Sequence, residues 1–301
     1  MNKTDEILKK VADNFIKKIE AFNGKWERPF FKYDLDFPKN VVSKKEYRGI
    51  NTAILWMTAE ECDFTSNVWG TFDQWKELKK SIKKGEKGTQ VLFFKPTKYT
   101  VEVKNDTGDT ELEEHQSLIC RYYTVFNKSQ IEGYEPKQIS EVTTDEMEEI
   151  NKHREFLDKT GIKYSEGHNR ACYIPSIDEV HLPSPEQFID KTAYIPVSCH
   201  EFIHATGAKN RLSRDFTGKF GDEAYAFEEL VADIGAGFLS AALGKQYIFQ
   251  NNNIAYLKSW IKVLKDQPKA ILKACSHAQK AADYLLGLAE ANTKVADVIG
   301  E

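Results

Sequence analysis

The amino-acid sequence predicts an α+β fold, in which a small α+β part is followed by a mostly helical part that carries a small sheet. Three observations lead to this prediction. Residues 90–126 contain strand-like segments rich in β-branched and aromatic side chains, and two shorter strand-like segments lie within residues 171–183. From residue 224 onward, apolar side chains recur at intervals of three and four, as they do on one face of a helix.

An acidic stretch separates the two parts, so we divide the chain into residues 1–135, a connector of residues 136–150, and residues 151–301. The charge balance also changes along the chain. Residues 1–100 hold 20 lysines and arginines against 14 aspartates and glutamates, whereas residues 101–150 hold 4 against 13. Because the whole chain has a net charge of -4, a polyanion would have to bind at a local basic patch in the first hundred residues.

The first part is predicted to begin with an amphipathic helix, because apolar residues from Ile7 to Phe22 are spaced by three and four up to Gly24. A second helix is expected over residues 51–61. A third is expected over residues 71–85, since Thr71 and Gln74 form the pattern of a capping box and a glycine closes the segment.

Strands are predicted to follow the third helix, over residues 90–95, 99–103 and 117–126, with a polar turn at residues 105–109. The strands and the preceding helices together would form the small α+β part of the chain.

The second part is predicted to open with a helix that begins at Thr144-Asp145 and ends at Gly161. Two short strands are expected at residues 171–175 and 178–183. We expect the segment 179–182 to be the free edge of this sheet, because such an edge can pair with an extended peptide.

The remaining residues are predicted to be helical. Proline is tolerated only in the first turn of a helix, so Pro196 indicates a helix that begins close to Ile195. Three further helices are expected over residues 224–243, 254–266 and 269–288.

A metal-binding motif, His200-Glu201-Phe202-Ile203-His204, lies in the helix that begins near Ile195. Two histidines four residues apart share one helix face, with Cβ atoms about 6 Å apart, which suits two corners of a tetrahedral zinc site. In this motif the glutamate is the general base that accepts a proton from the attacking water. The motif therefore predicts a metal-dependent hydrolase, with His200 and His204 as ligands and Glu201 as base. The alternative is two ordinary histidines, because so short a pattern also arises by chance.

A third ligand is predicted on the following helix, where Glu229 and Asp233 are four residues apart and share a face. A zinc site of this kind needs one more protein ligand, and a carboxylate that orients a ligand histidine. We expect Glu229 to be the ligand and Asp233 the orienting carboxylate. Glu228 is the fallback ligand, although it points about 100° away from Glu229 on the helix. The alternative is an amphipathic helix with exposed acids.

The developing oxyanion of a hydrolysis reaction also needs a partner. Tyr225, one helical turn before Glu229, and His181, in the second short strand, are the candidates, although a packed tyrosine and a surface histidine are the simpler interpretations. We expect the metal to be Zn²⁺, with Mn²⁺ or another divalent ion as the alternative, because sulfur-free ligands accept several divalent ions.

Composition argues against several other classes of protein. The five cysteines are scattered and show no Cys-x-x-Cys spacing, which argues against a disulfide framework and a cysteine zinc site. No run of 18 or more apolar residues occurs, and the first residues lack the apolar core of a signal peptide. We therefore expect a cytoplasmic protein without a membrane contact.

Basic and aromatic residues are interleaved in the first part, as in proteins that bind single-stranded nucleic acid. The lysines cluster near the end of the third predicted helix, and they are Lys79, Lys80, Lys83, Lys84 and Lys87. The aromatic residues that could stack on bases are Trp26, Phe30, Phe31, Tyr33, Trp56, Trp69 and Trp75. Composition alone favours the alternative, in which these rings form the core and the lysines solvate the surface.

Several motifs resemble those of ArdC-type antirestriction proteins, a family with a single-stranded-DNA-binding domain and a zincin-like metallopeptidase domain. The motifs are Tyr47-Arg48-Gly49-Ile50-Asn51, Trp69-Gly70-Thr71-Phe72, Lys84-Gly85-Glu86-Lys87-Gly88, Val125-Phe126-Asn127, His200 to Gly207, Arg211-Leu212-Ser213-Arg214-Asp215 and Tyr225 to Asp233. The resemblance extends over nearly the whole chain.

The resemblance implies a plasmid- or phage-encoded protein that binds single-stranded DNA and protects incoming DNA from host restriction. It implies DNA contacts by Tyr47, Arg48, Asn51 and Trp69, together with the lysines Lys83, Lys84 and Lys87. It also implies a protein substrate for the peptidase site, for instance a component of the host restriction system. The alternative function is a non-catalytic single-stranded-DNA-binding protein with a structural metal site.

Overall fold

A computed structural model describes residues 3–20, 37–104, 110–136, 145–214, 223–244 and 254–299. The turn predicted at residues 105–109 and four of the aromatic residues proposed to stack on bases lie outside the described residues. These four are Trp26, Phe30, Phe31 and Tyr33.

The described residues form eight α-helices and seven strands, so the α+β fold class is confirmed. The helices are α1 (Lys3–Glu20), α2 (Ile50–Glu61), α3 (Phe72–Glu77), α4 (Glu146–Thr160), α5 (Tyr194–Ala205), α6 (Glu223–Ala242), α7 (Ile254–Asp266) and α8 (Ala270–Ile299). The strands are β1 (Lys39–Asn40), β2 (Val68–Thr71), β3 (Thr89–Lys104), β4 (Thr110–Asn127), β5 (Tyr164–Ser165), β6 (Cys172–Ile174) and β7 (Glu179–His181). Within the described residues, no helix combines the length and apolar character needed to cross a membrane.

The first sheet has the order β1-β2-β4-β3 and is dominated by the long antiparallel hairpin of β3 and β4. Its register runs from Thr89 opposite Val125 to Lys104 opposite Thr110. The sequence predicted two strands where the structure has the single strand β3, which continues through Pro96. Among the described strands, β3 lies at the edge of the sheet, so one of its sides needs no N–H donors. Proline, which has no backbone N–H, is therefore tolerated at Pro96.

Helix α3 is shorter than the predicted helix over residues 71–85. The capping box of Thr71 and Gln74 is confirmed, but the helix ends at Glu77. Lys79 then adopts a positive φ of 56°, which an α-helix does not accommodate. The chain beyond it is held against the segment after β4 by the Ile82–Ile131 bridge, so tertiary pairing prevails over helix propensity here.

The main hydrophobic core contains residues from both parts of the chain. Leu8 of α1 and Trp56 of α2 belong to the same buried cluster as Phe238 of α6. Phe37 stacks on Trp56 with ring centroids 5.5 Å apart, and Trp56 lies 5.7 Å from Phe238. A fragment ending near residue 135 would therefore expose the apolar faces of α1 and α2 to water.

The second part agrees with most of the predicted elements. Helix α4 is capped by Asp145 and ends before Gly161, which adopts the left-handed conformation with a φ of 70°. Helix α5 begins at Tyr194, so Pro196 lies in its first turn as expected. Helix α8 extends to Ile299, eleven residues beyond the predicted end at residue 288.

The second sheet corrects the prediction for its edge. The strand order is β5-β7-β6, so β7 pairs with β5 on one side and with β6 on the other. The segment 179–182 is therefore central, and among the described strands β6 forms a free edge of this sheet. The prediction was wrong because β5 has only two residues, too few to show a strand pattern in the sequence.

Candidate metal centre

Helices α5 and α6 pack closely and bring the two halves of the candidate site together. Gly235 of α6 permits this approach, because an added Cβ would lie only 2.9 Å from Ile203 Cγ2 of α5. The histidine motif lies on α5, whereas Glu229 and Asp233 lie on α6. Glu229 comes six residues before Gly235 and Asp233 two residues before it.

Three potential metal ligands converge between these helices. The Nε2 atoms of His200 and His204 lie 3.1 Å apart. Glu229 Oε2 lies 3.6 Å from His200 Nε2, and Glu229 Oε1 lies 3.4 Å from His204 Nε2. One potential ligand atom from each of the three residues lies within 4.8 Å of the other two. Among the described residues, no other group of three or more His, Cys, Asp or Glu side chains is as close together. Two imidazole nitrogens and a carboxylate oxygen are a donor set that suits a divalent metal.

A carboxylate on α6 orients His200. The Nδ1 atom of His200 lies 2.8 Å from Asp233 Oδ1, and this contact leaves Nε2 directed towards His204 and Glu229. Such a contact fixes the tautomer of a metal-binding histidine and the orientation of its ring. The geometry therefore brings Asp233 to the position predicted for an orienting carboxylate.

His204 is oriented by Glu228, the residue considered above as a fallback ligand. Glu228 Oε1 lies 3.2 Å from His204 Nδ1, whereas the other ring nitrogen of His204, Nε2, faces His200 and Glu229. Arg214 donates to both oxygens of the same carboxylate, with Nε 2.9 Å from Oε2 and Nη2 2.8 Å from Oε1. Because Glu228 faces His204 and Arg214, Glu229 is the glutamate that faces both Nε2 atoms.

Arg214 is almost fully buried, with 4% of its side chain exposed. It also donates from Nη1 to Thr206 Oγ1 at 2.7 Å and from Nη2 to the Ile203 carbonyl at 2.7 Å. It thus ties Glu228 to the C-terminal end of α5. Arg214 had no predicted role, because no spacing rule connects an arginine in a loop with a glutamate fourteen residues later.

The two histidines and the two glutamates shift each other's pKa values. Burial alone would lower the pKa of His204, but Glu228 and Glu229 outweigh it and raise that pKa to about 9. Burial likewise opposes charge on His200, whose pKa is nevertheless raised by Asp233, Glu229 and Glu201. Burial would raise the pKa of Glu229, yet His200 and His204 hold it well below its ordinary value. The group is thus a buried set of mutually compensating charges.

Glu201 lies at the free edge of β6, where its Oε2 accepts a hydrogen bond from the backbone N–H of Tyr173 at 2.9 Å. The edge strand beside the predicted general base is therefore β6 rather than β7. No functional residue had been predicted in β6.

The two candidate oxyanion partners differ in position. Tyr225 is half-buried on α6, one turn before Glu229, and its role remains a prediction. His181 stacks on His168 at 3.8 Å, and its Nε2 lies 3.5 Å from Glu179 Oε1. Since Val180 packs into the main core and neighbouring side chains of a strand point to opposite faces, His181 projects away from that core. Its contacts with His168 and Glu179 favour the interpretation as a surface histidine, and its role as an oxyanion partner remains a prediction.

Trp69 cannot stack on a base as predicted. Its side chain is fully buried in a small core with Leu55, Val91 and Val125. The prediction was wrong because a tryptophan in a strand has the same local pattern whether or not a helix covers it. Trp56 and Trp75 are also buried.

The first family motif has contacts within the protein. The Asn51 amide donates to the Leu92 carbonyl at 2.7 Å and accepts from the Leu92 N–H at 2.8 Å, so it holds α2 to β3. The half-buried Tyr47 hydroxyl accepts a hydrogen bond from Asn40. Arg48 forms an exposed ion pair with Asp283 of α8. These contacts assign Asn51 and Tyr47 to the internal structure, and a DNA contact by Arg48 stays a prediction.

The lysines Lys83, Lys84 and Lys87 are exposed in the loop before β3. Lys83 Nζ donates to the Ser129 carbonyl at 2.9 Å, which holds one side of this loop. The loop is therefore accessible to a polyanion, and DNA contacts by these three lysines stay a prediction.

Comparisons with known proteins agree with this arrangement. The N-terminal domain of the anti-restriction factor ArdC (ArdcN) matches residues 5–126, and a zincin-like metallopeptidase domain (MPTase-PolyVal) matches residues 151–277. The crystal structure of the antirestriction protein ArdC from plasmid R388, in its metal-free form, is 35% identical, with a TM-score of 0.73 over 94% of this chain and 98% of that one. The chain belongs to the ArdC antirestriction family.

Further relatives of this ArdC family member include a second crystal structure of the R388 protein and proteins from two bacteria. The Mn(II)-bound R388 structure is 33% identical, with a TM-score of 0.69 over 94% of this chain and 97% of that one. Protein y4eC of Sinorhizobium fredii (strain NBRC 101917 / NGR234) is 35% identical over 93% of this chain and 91% of its own. DNA primase TraC of Escherichia coli is 32% identical over 92% of this chain, which spans only 26% of that primase.

Proposed function

We propose that this ArdC family member is a metal-dependent hydrolase that cleaves a protein while it protects incoming plasmid or phage DNA from host restriction. One observation carries the proposal. His200, His204 and Glu229 direct three ligand atoms at one point, and Glu201 lies on the same helix at the free edge of a strand. A hydrolase that acts on peptides needs these three elements together: a metal, a base and an edge that can align an extended chain.

The donor set fits Zn²⁺ and also Mn²⁺, the ion bound in one of the two R388 ArdC structures. When bound, a divalent ion would supply Lewis acidity for the scissile carbonyl. Asp233 and Glu228 hold the two histidines with their Nε2 atoms directed at the site. Glu201 accepts the proton of the attacking water, and Tyr225 is a candidate to donate a hydrogen bond to the developing oxyanion.

The substitution Glu201→Gln separates catalysis from a structural role of the metal. It keeps the size of the side chain and removes the base, so metal content and melting temperature should equal those of the wild type. We expect the variant to lose protection when an unmodified plasmid is transferred into a restricting host. Cleavage of host proteins, followed by mass spectrometry of new N-termini, should fall by about 10²- to 10⁴-fold.

The control variant is Glu186→Gln, an exposed glutamate in the short helical turn before α5, which should behave as the wild type. Full protection by Glu201→Gln, at normal metal content, would contradict the hydrolase and support the alternative of a DNA-binding protein with a structural metal. The variant Glu229→Ala tests the site itself: an unchanged metal content would remove Glu229 from the ligands.

A second function, binding of single-stranded DNA, is supported by a separate observation. Exposed aromatic rings and cations share the surface of the first sheet, and the lysine loop leads directly into β3. The relatives point in the same direction, because two of them are named DNA primases. Fluorescence anisotropy of the full chain with a labelled, unstructured oligonucleotide tests it, and no binding at low salt would exclude it.

A further inference from the structure

One face of the β3–β4 hairpin carries three aromatic rings. Side chains two residues apart in a strand lie on the same face, so Phe93 and Tyr99 share a face of β3. Val91 pairs with Tyr123 in the register, which places Tyr123 on that same face of β4. The rings of Phe93 and Tyr123 make an edge-to-face contact at 6.1 Å, which agrees with this assignment.

These rings are exposed although they continue a buried surface. Val91 and Val125, on the same face, are covered by Leu55 of α2. Beyond the helix, Phe93 is 52% exposed, Tyr99 51% and Tyr123 45%. An exposed group of large aromatic side chains marks a binding surface more often than a single exposed ring does. We call Phe93, Tyr99 and Tyr123 the ring face of the hairpin.

Cations alternate with the rings. Arg121 lies directly opposite Phe93 in the register, and Lys95 follows Phe93 on the same face. Both side chains are exposed. The described side chains on this face are the odd-numbered residues of 91–101 and 121–125, and none of them is an aspartate or a glutamate. Lys87, in the exposed loop, comes two residues before the start of β3, so positive charge continues past the end of the strand.

The opposite face of the hairpin has a different environment. Phe94 and Cys120 lie there, and both pack against the main core. Tyr122 and Lys98 are also on that face and are exposed, and Tyr122 is exposed to 47%, nearly the same fraction as Tyr123. The hairpin thus has two neighbouring tyrosines of nearly equal exposure on opposite faces, and within the part of the chain that the structure describes Tyr123 alone lies beside another exposed ring.

We propose that the ring face is where single-stranded DNA binds, with bases stacked on Phe93 and Tyr123 and phosphates paired with Lys95 and Arg121. This inference rests on the DNA-binding function proposed above and assigns its surface. Bases can stack on protein rings only when they are not paired in a duplex, so the face selects single strands. From Thr89 to Tyr99 the strand extends about 33 Å, enough for several nucleotides.

The experiment measures binding of the full chain to a labelled oligo(dT) by fluorescence anisotropy. Phe93→Ala and Tyr123→Ala should each weaken binding roughly 5- to 150-fold, because each removes a stacking ring. Tyr122→Ala is the matched control and should stay within about twofold of the wild type. Since all three side chains are exposed, melting temperatures should not change, which the same samples verify by circular dichroism.

The charged residues provide a second readout. The double variant Lys95→Gln, Arg121→Gln should lower the slope of log affinity against log salt by about 1.4, at about 0.7 for each single-strand phosphate that the variant no longer neutralises. Lys98→Gln, on the opposite face, should leave the slope unchanged, and so should the two ring variants.

The outcomes distinguish this inference from the function on which it rests. If the wild type binds no oligonucleotide at low salt, the DNA-binding function is excluded. If the wild type binds, and Phe93→Ala and Tyr123→Ala bind as well as it does, the ring face is excluded while DNA binding stands. An equal loss in Tyr122→Ala would also overturn the assignment, because it would place the DNA on both faces or on the opposite one.

Discussion

The metal group and the ring face use charged side chains under opposite physical conditions. By the metal group we mean His200, His204 and Glu229 with the charged residues Glu228, Asp233 and Arg214 around them. In the metal group, His204, Glu228 and Arg214 are buried, and each makes specific contacts with the next. On the ring face, Lys95 and Arg121 are exposed and surrounded by solvent. A buried charge that loses its partner remains unsolvated, whereas an exposed charge that loses its ligand is solvated by water.

This difference determines how large the effect of a substitution should be. Within the metal group, one substitution removes an interaction that nothing else can replace. On the ring face, and in the lysine loop beside it, several residues make similar, small and salt-dependent contributions. Substitutions in the metal group should therefore have larger effects than substitutions on the ring face or in the lysine loop.

The largest effect is expected for Arg214→Met. It leaves the Glu228 carboxylate buried without its main partner, which should cost about 3–5 kcal/mol of unfolding free energy. Arg211→Met is the matched control in the same loop, because Arg211 pairs with Asp178, whose side chain is 40% exposed and can be solvated. Urea unfolding measures both variants. Equal losses in the two would contradict the contrast between a pair that is buried at both partners and a pair whose carboxylate is exposed.

A pH dependence of stability is expected after the metal has been removed with a chelator. The pKa of His204 is raised from 6.5 to about 9 by Glu228 and Glu229 in spite of its burial. A raised histidine pKa stabilises the fold fully below pH 6.5, and this stabilisation disappears as the pH rises towards 9. Unfolding free energy should therefore fall by up to about 3 kcal/mol over that range.

The glutamates act in the opposite direction at low pH. The pKa values of Glu228 and Glu229 are lowered from 4.5, so their contribution is present above pH 4.5 and is lost on acidification. Urea unfolding of the chelator-treated protein at pH 4, 6 and 9 tests both the loss of stability at high pH and the loss at low pH. Stability that rises between pH 6 and 9 would contradict the assignment, and a saturating divalent metal should abolish the fall.

A smaller effect is expected for Asp233→Asn. The substitution weakens the hydrogen bond that orients His200 and should reduce metal affinity about 10- to 100-fold. Unlike Arg214→Met, it leaves no buried charge unpaired, so the melting temperature of the chelator-treated protein should change less. Competition with a metal indicator gives the affinity. An unchanged affinity would show that Asp233 does not position the ligand.

The smallest effect is expected in the lysine loop. Replacing Lys83, Lys84 and Lys87 by glutamine should lower the salt slope of DNA binding by about 2, with no change in melting temperature. The control replaces three exposed lysines of the second part, Lys163, Lys209 and Lys280. If both triple variants give the same slope, the charges act through the overall field of the protein rather than through direct contacts with phosphates.

The grouping of the candidate ligands could be predicted from the sequence because much of its geometry is local. Four residues along a helix always return to the same face, so His200 with His204, and Glu229 with Asp233, needed no knowledge of the fold. That the two pairs face each other was a hypothesis from the chemistry of zinc sites. Arg214 escaped prediction because its contact with Glu228 depends on the course of a loop, for which no spacing rule exists.

Which aromatic side chains of the first part are exposed was predicted poorly for a related reason. Trp69 and Phe93 have the same strand-like surroundings in the sequence, but α2 covers one and leaves the other exposed. Alternation assigns a side chain to a face of a strand, and only the packing of a distant helix decides which stretch of that face is buried. The predicted end of α3 was wrong for a similar reason, because the Ile82–Ile131 bridge that holds the following segment joins residues 49 apart in the sequence.

The core shared by α1, α2 and α6 bears on what a break in the chain would do. Leu8, Trp56 and Phe238 belong to one buried cluster, and the contact of Trp56 with Phe238 needs no peptide bond between residues 136 and 145. Because this cluster draws on both sides of the cut, we expect a folded chain that is cut there to stay together as a non-covalent complex. Neither piece alone would retain its shape. Gel filtration after limited proteolysis of the connector should therefore give the size of the intact chain, while denaturing electrophoresis of the same sample should show two fragments.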